Sequence, residues 1–193
     1  MWIQRSAIRP VPPYARIGRA SLEHLRNALQ LEADESPAAF DEMYEEFEDR
    51  QPVLADHIGE VLSQPLQDSS VALGYFLSVS IWAAFDQTLG TALDAISPDE
   101  LRSTTELFAL DQDLRGQAPL DRLDTDDVVA MEQPALVEFV HESIQSTLRA
   151  QRGKLDTSEL GEIYRMLLIE ILALSYAVRS PAGYPLTKTE VQA

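Results

Sequence analysis

Two stretches of the chain decide the fold: Gln51-Pro-Val-Leu-Ala-Asp-His-Ile-Gly-Glu-Val-Leu62 and Gln133-Pro-Ala-Leu-Val-Glu-Phe-Val-His-Glu-Ser-Ile144. They align without a gap, and Gln, Pro, Leu and Glu recur at equivalent positions. Each follows an acidic segment and precedes a long apolar one. The pair predicts two related units of three helices, spanning residues 36–93 and 124–178. Chance similarity between two amphipathic helices is the alternative.

The repeated Gln-Pro-x-Leu motif has a physical explanation that needs no ligand. A proline in the first helical turn loses no hydrogen bond, because that amide is unpaired in any helix, and it stops the preceding helix. The glutamine can satisfy free backbone groups at the junction, and Leu54 and Leu136 then fall on the buried face. We interpret the motif as a corner between helices.

Helical signals also cover the rest of the chain. Ser36 and Pro37 form a helix start, as do Ser97 and Pro98, which open a connecting helix predicted over 97–113. The segment 70–93 is apolar on nearly all sides, which predicts a central helix. Since the alternation typical of strands is absent, the sequence predicts an all-α, single-domain bundle of seven to eight helices rather than a small α+β domain.

The two ends of the chain differ from this pattern. Residues 1–20 contain three prolines and several arginines, which predicts an extended, basic arm, and residues 179–193 look like a tail. Residues 1–10 lack the apolar run of a secretory signal, so we expect a cytoplasmic location. Thirteen arginines against two lysines suggest a GC-rich bacterial genome.

Composition excludes several classes of protein. The chain has 193 residues, a net charge of −17 and no cysteine. Disulfides, thiolate metal sites and cysteine nucleophiles are therefore excluded. The negative field repels nucleic-acid phosphates and anionic lipid, and the longest charge-free stretch, Ser69 to Phe85, is shorter than a membrane span. We expect neither nucleic acid nor membrane as a direct partner.

The charge is unevenly distributed. Residues 1–30 carry five arginines, whereas residues 32–60 carry eleven carboxylates and one arginine. The basic arm therefore packs on the protein's own acidic surface, on a second copy in a homodimer, or on another partner. Periodicity places a dense stripe of carboxylates on the solvent face of the helix that follows Pro37. These candidate partner-binding residues are Asp41, Glu42, Glu45, Glu46, Glu48 and Asp49.

One pattern resembles a metal ligand pair. Glu138 and His141 have the Glu-x-x-His spacing with which helical bundles hold two iron or manganese ions. In the first repeat the equivalent positions are Asp56 and Gly59, so the second ligand set is missing. We therefore expect no metal and no cofactor, with Glu138 facing solvent.

Each candidate catalytic motif in the sequence has a structural explanation, so the sequence favours a protein that is not an enzyme. Paired acids such as Asp126 and Asp127 lie at a helix start, where they serve as caps. The favoured function is a non-catalytic, acidic helical binding protein of the bacterial cytoplasm, such as an inhibitor or immunity-type partner of a basic protein. The alternative is a helical bundle that binds a metal or small molecule between its two halves.

Overall fold

The computed structural model describes residues 6–35, 38–116, 124–150 and 156–184. Eight α-helices lie in these residues, which confirms the predicted all-α bundle of seven to eight helices. The helices are α1 (Arg19–Glu35), α2 (Ala38–Arg50), α3 (Pro52–Leu62), α4 (Asp68–Leu89), α5 (Pro98–Gly116), α6 (Thr125–Glu132), α7 (Pro134–Ala150) and α8 (Thr157–Tyr176). Two short 3-10 turns, Pro13–Ala15 and Gly90–Ala92, precede α1 and follow α4.

The core is built around α4 and α8, which share the most extensive helix contact in the described structure. Residues 77–85 of α4 and 166–175 of α8 are buried without interruption, because both helices are surrounded by other helices. The α4 helix with its following turn is long and apolar enough to cross a membrane, but 67% of its most apolar window is buried inside the protein. That burial is typical of the core helix of a soluble protein.

Local sequence signals explain most helix ends. Ser97 and Glu100 exchange hydrogen bonds at the start of α5, and Asp124 and Asp127 do so at the start of α6. The α4 helix stops at Leu89, four residues earlier than expected, because Gly90 adopts a φ of 51° that only glycine takes easily. The predicted helix start at Ser36 and Pro37 lies outside the described residues, as do 117–123 of the predicted connector and 185–193 of the predicted tail.

The two motif glutamines are buried and make the same pair of hydrogen bonds. Gln51 Oε1 accepts from the amide of Ile96 at 2.9 Å, and its Nε2 donates to the carbonyl of Asp94 at 3.0 Å. Gln133 Oε1 accepts from the amide of Ile17 at 3.1 Å, and its Nε2 donates to the carbonyl of Ala15 at 2.9 Å. The expectation that each glutamine serves its own junction was therefore wrong. Each one holds the extended segment that leads into a distant helix.

These matched contacts support the hypothesis of a duplicated unit. Gln51 has φ −132° and ψ 55°, and Gln133 has φ −132° and ψ 63°. The segments they hold enter α5 and α1, respectively, and both segments lie outside the predicted units 36–93 and 124–178. The helix contacts also correspond: α1 packs on α4 as α5 packs on α8, and α3 packs on α8 as α4 packs on α7. The correspondence includes α1 and α5, so a repeated unit defined by these contacts would hold four helices rather than three.

The N-terminal segment before α1 is tied to the body of the protein. The buried carboxylate of Asp111 accepts hydrogen bonds from Ser6 Oγ at 2.7 Å, from the Ala7 amide at 2.8 Å and from Thr125 Oγ1 at 3.0 Å. It also pairs with Arg115 at 2.5 Å. Burial opposes ionisation, but these donors outweigh it and lower the pKa of Asp111. Residues 6–17 therefore form part of the fold.

One glycine of α4 allows a close contact with a neighbouring helix. A Cβ added at Gly74 would lie 2.6 Å from Cδ2 of Leu62, on α3. The missing side chain therefore makes room for α3 against α4 rather than for α8.

Candidate protein-binding surface

The α2 helix has one apolar side and one acidic side. Phe47 is buried, and Phe40, Met43 and Tyr44 pack against the core, so these residues fix the orientation of the helix. The remaining surface carries six carboxylates, and every one of them is exposed. We call them the α2 acidic face: Asp41, Glu42, Glu45, Glu46, Glu48 and Asp49. The structure thus places all six predicted partner-binding residues on one helix in contact with solvent.

Arg50 is the one basic residue of α2, and it fastens the end of the helix to α4. Its guanidinium pairs with Asp86 and lies 3.7 Å from Glu46. It also lies over the ring of Trp82, 5.9 Å from the ring centre. Arg50 therefore pairs with one carboxylate of the α2 acidic face, Glu46, and the other five have no ion pair among the described residues.

The four N-terminal arginines that the structure describes make their contacts away from the α2 acidic face. Arg16 pairs with Glu132 at 3.2 Å, Arg19 with Glu138 at 2.6 Å and Arg26 with Glu142 at 2.9 Å. These arginines thus contact the protein's own acids, but the acids belong to α6 and α7 rather than to the acid-rich segment 32–60. In addition, the Arg9 guanidinium covers the ring of Tyr176 at 4.4 Å. Within the described residues, these four arginines therefore leave the α2 acidic face exposed.

The two metal-ligand candidates are engaged with other groups. The half-exposed Glu138 pairs with Arg19, as described above, and His141 Nε2 lies 2.7 Å from the hydroxyl of Tyr164. Across the described ranges, no group of three or more His, Asp or Glu side chains is placed to hold a metal ion. Glu138 and His141 of α7 therefore make two separate surface contacts in this structure.

A second cluster brings together ionisable groups from the start of α6 and from the middle of α7 and α8. Asp126 is half-buried near His141, and burial together with Asp124 and Asp127 raises its pKa, while His141 lowers it. Burial and the same three aspartates raise the pKa of Tyr164. A tyrosine that acts as a nucleophile or base needs its phenolate to be stabilised, and these neighbours do the opposite. Asp127 also serves as a helix cap, so this cluster supports no catalytic role.

Glu170 was not among the predicted site residues, yet it is a fully buried carboxyl group without a hydrogen-bond partner in the described structure. It lies in α8, is 1% exposed, and neither carboxyl oxygen has a hydrogen-bond partner among the described residues. Burial raises its pKa well above the ordinary value; the nearby Ser78 hydroxyl acts in the opposite direction without forming a well-aligned hydrogen bond. The signal was present in the sequence, since Glu170 is the one charged residue in the apolar run 166–175.

Comparison with known proteins gives no relative from which function could be transferred. No protein-family model matches the chain, and no curated protein or solved structure is detectably similar to it. The function must therefore be argued from the surface itself.

Proposed function

We propose that this protein is a non-catalytic binding protein of the cytoplasm whose α2 acidic face receives a basic protein. The observation that carries the proposal is the exposure of all six carboxylates, since Arg16, Arg19 and Arg26 pair with acids of α6 and α7 instead. An inhibitor or immunity-type protein would use such a surface, because complementary charge speeds encounter and excludes wrong partners.

The rigid attachment of α2 supports this function. Phe47 is 1% exposed and packs against Trp82, with 5.6 Å between ring centres, and Phe40 stacks on Phe76 at 5.8 Å. A helix fixed in this way presents its carboxylates in one arrangement, so less conformational freedom is lost when a partner binds. Self-association stays a prediction; exposed apolar side chains that could take part in it are Leu110, Leu114 and Met131.

The proposal is tested by chromatography of a lysate from the source organism on immobilised protein. We expect the wild-type chain to retain a basic protein that elutes with salt, because surface charge pairs are screened at high ionic strength. A variant that neutralises four exposed acids should lose this protein: Asp41→Asn, Glu42→Gln, Glu45→Gln and Asp49→Asn.

The matched control removes the same charge from four exposed acids on other helices: Glu23→Gln, Asp68→Asn, Asp113→Asn and Glu162→Gln. It should retain the partner almost as well as the wild type. Equal loss on both variant columns would show that total charge, and not the α2 acidic face, causes retention, and would refute the proposed surface.

A small-molecule site between the two halves is the second candidate function. The observation that favours it is the unpartnered carboxyl of Glu170, which faces the α4–α8 contact beside Ser78. The metal form of this idea has no support from Glu138 and His141, whose contacts are described above. Native mass spectrometry of gently purified protein should show an added mass if a ligand is bound there, and that mass should disappear in Glu170→Gln.

A further inference from the structure

A groove of 440 Å³ separates α3 from the start of α5. Its apolar lining comes from Val53, Pro98 and Leu101, and its carboxylates are Asp56, Glu60 and Glu106. Leu101 is buried, Val53 is half-buried and the carboxylates are exposed. The groove therefore offers an apolar floor with a charged rim, and its size falls within the range of ordinary ligand pockets.

The rim of the groove carries a net negative charge. Three carboxylates face one cation, Arg102, and its guanidinium is already paired with Asp99 at 3.0 Å. The occupant that fits this rim carries positive charge beside an apolar group. The groove also lies one helix away from the α2 acidic face, since α3 begins at Pro52, two residues after the end of α2.

His57 lies in this groove together with Glu60. Its imidazole has no hydrogen-bond partner in the part of the chain that the structure describes. Burial lowers its pKa, with Glu60 acting in the opposite direction, so the neutral form is favoured. A neutral imidazole does not repel a cationic occupant.

We propose that the α3–α5 groove receives an apolar side chain of the basic partner, flanked in that partner by lysine or arginine. The proposal rests on the proposed function and adds an apolar anchor site, which the α2 acidic face lacks. Exposed charges mainly set the rate and specificity of encounter, whereas most binding energy comes from a few apolar or aromatic anchors buried in pockets. The groove supplies the anchor site, and its carboxylates contact the flanking basic residues.

The test uses two acetylated and amidated pentapeptides, Lys-Lys-Phe-Lys-Lys and Lys-Lys-Gly-Lys-Lys, titrated into isotopically labelled protein at low salt. Amide signals report on residues 41–49 and on the groove separately, and the three histidines of the chain give a simple set of ring signals for following His57. We expect both peptides to shift signals of 41–49. The phenylalanine peptide should also shift Val53, His57 and Leu101, with an affinity about tenfold higher, as expected from burying an aromatic side chain.

Two variants test whether the higher affinity of the phenylalanine peptide arises in the groove. Val53→Asn makes the groove floor polar without changing the charge, and it should remove the advantage of the phenylalanine peptide. Val71→Asn makes the same change at a half-buried site on α4 outside the groove and should keep that advantage. Thermal unfolding of both variants checks that they are folded.

The outcomes separate the two proposals. Equal binding of the two peptides with shifts confined to 41–49 would overturn the groove proposal and leave the proposed function standing. A groove response to the phenylalanine peptide without any response at 41–49 would contradict the α2 acidic face while supporting the groove. No response to either peptide would overturn both.

Discussion

Replacing Glu170 with leucine is expected to stabilise the protein at about pH 8 and to remove a pH dependence that the wild type shows. The carboxyl is fully buried without a hydrogen-bond partner, so it is protonated in the folded state, whereas in the unfolded chain it ionises near its ordinary pKa of 4.5. Folding therefore takes up a proton. The stabilising contribution of the protonated carboxyl is complete below that pKa and is lost as the pH rises toward the folded-state value.

The size of the effect follows from the same linkage. Between the two pKa values, the free energy of unfolding should fall by about 1.4 kcal/mol for each pH unit in the wild type relative to Glu170→Leu. Chemical denaturation from about pH 5 to pH 8 measures this difference. The control, Glu162→Gln, removes an exposed carboxyl of the same helix and should follow the wild-type curve. Parallel curves for the wild type and the leucine variant would show that Glu170 ionises in the folded protein.

Replacing either motif glutamine with leucine is expected to destabilise the protein by about 2 to 5 kcal/mol. The substitution keeps the buried volume but leaves one backbone amide and one carbonyl without partners, at Ile96 and Asp94 for Gln51, and at Ile17 and Ala15 for Gln133. The free energy of unfolding should fall further in Gln133→Leu than in Gln51→Leu.

The reason for that difference is a third contact, because Gln133 Nε2 also donates to Ser175 Oγ at 2.8 Å. Gln112→Leu, an exposed change on α5, provides the control and should alter the free energy of unfolding by less than about 0.5 kcal/mol. Urea denaturation compares the three variants. If Gln51→Leu and Gln133→Leu behave like the control, the hydrogen bonds of the two glutamines to the segments before α5 and α1 do not stabilise the fold.

Local signals allowed the helices to be predicted from sequence. The apolar surface of α4 predicted its central position, and Ser97 with Pro98 predicted the start of α5, because caps and periodicity act within a few residues. The partners of Gln51 and Gln133 could not be predicted in this way. Those partners lie 43 to 118 residues away along the chain and are brought together only by the packed bundle.

The candidate sites also differ in whether local sequence signals or the packing of distant helices determine them. The exposure of the α2 acidic face follows from helical periodicity within one element. The α3–α5 groove depends on which helices become neighbours, so sequence patterns within single helices did not predict it. Glu170 was visible in an apolar run, but its lack of partners depends on α4 and α8 meeting at that point.

The most direct test of the account is zero-length cross-linking in a lysate of the source organism. A carbodiimide joins a carboxylate to a lysine amine only when the two groups are in contact, so mass spectrometry of the joined peptides identifies the acids that touch the partner. We predict that the cross-linked acids of this chain include those of the α2 acidic face, joined to lysines of a basic protein, together with the groove carboxylates if the groove receives the same partner. Cross-links confined to carboxylates of other helices would contradict it.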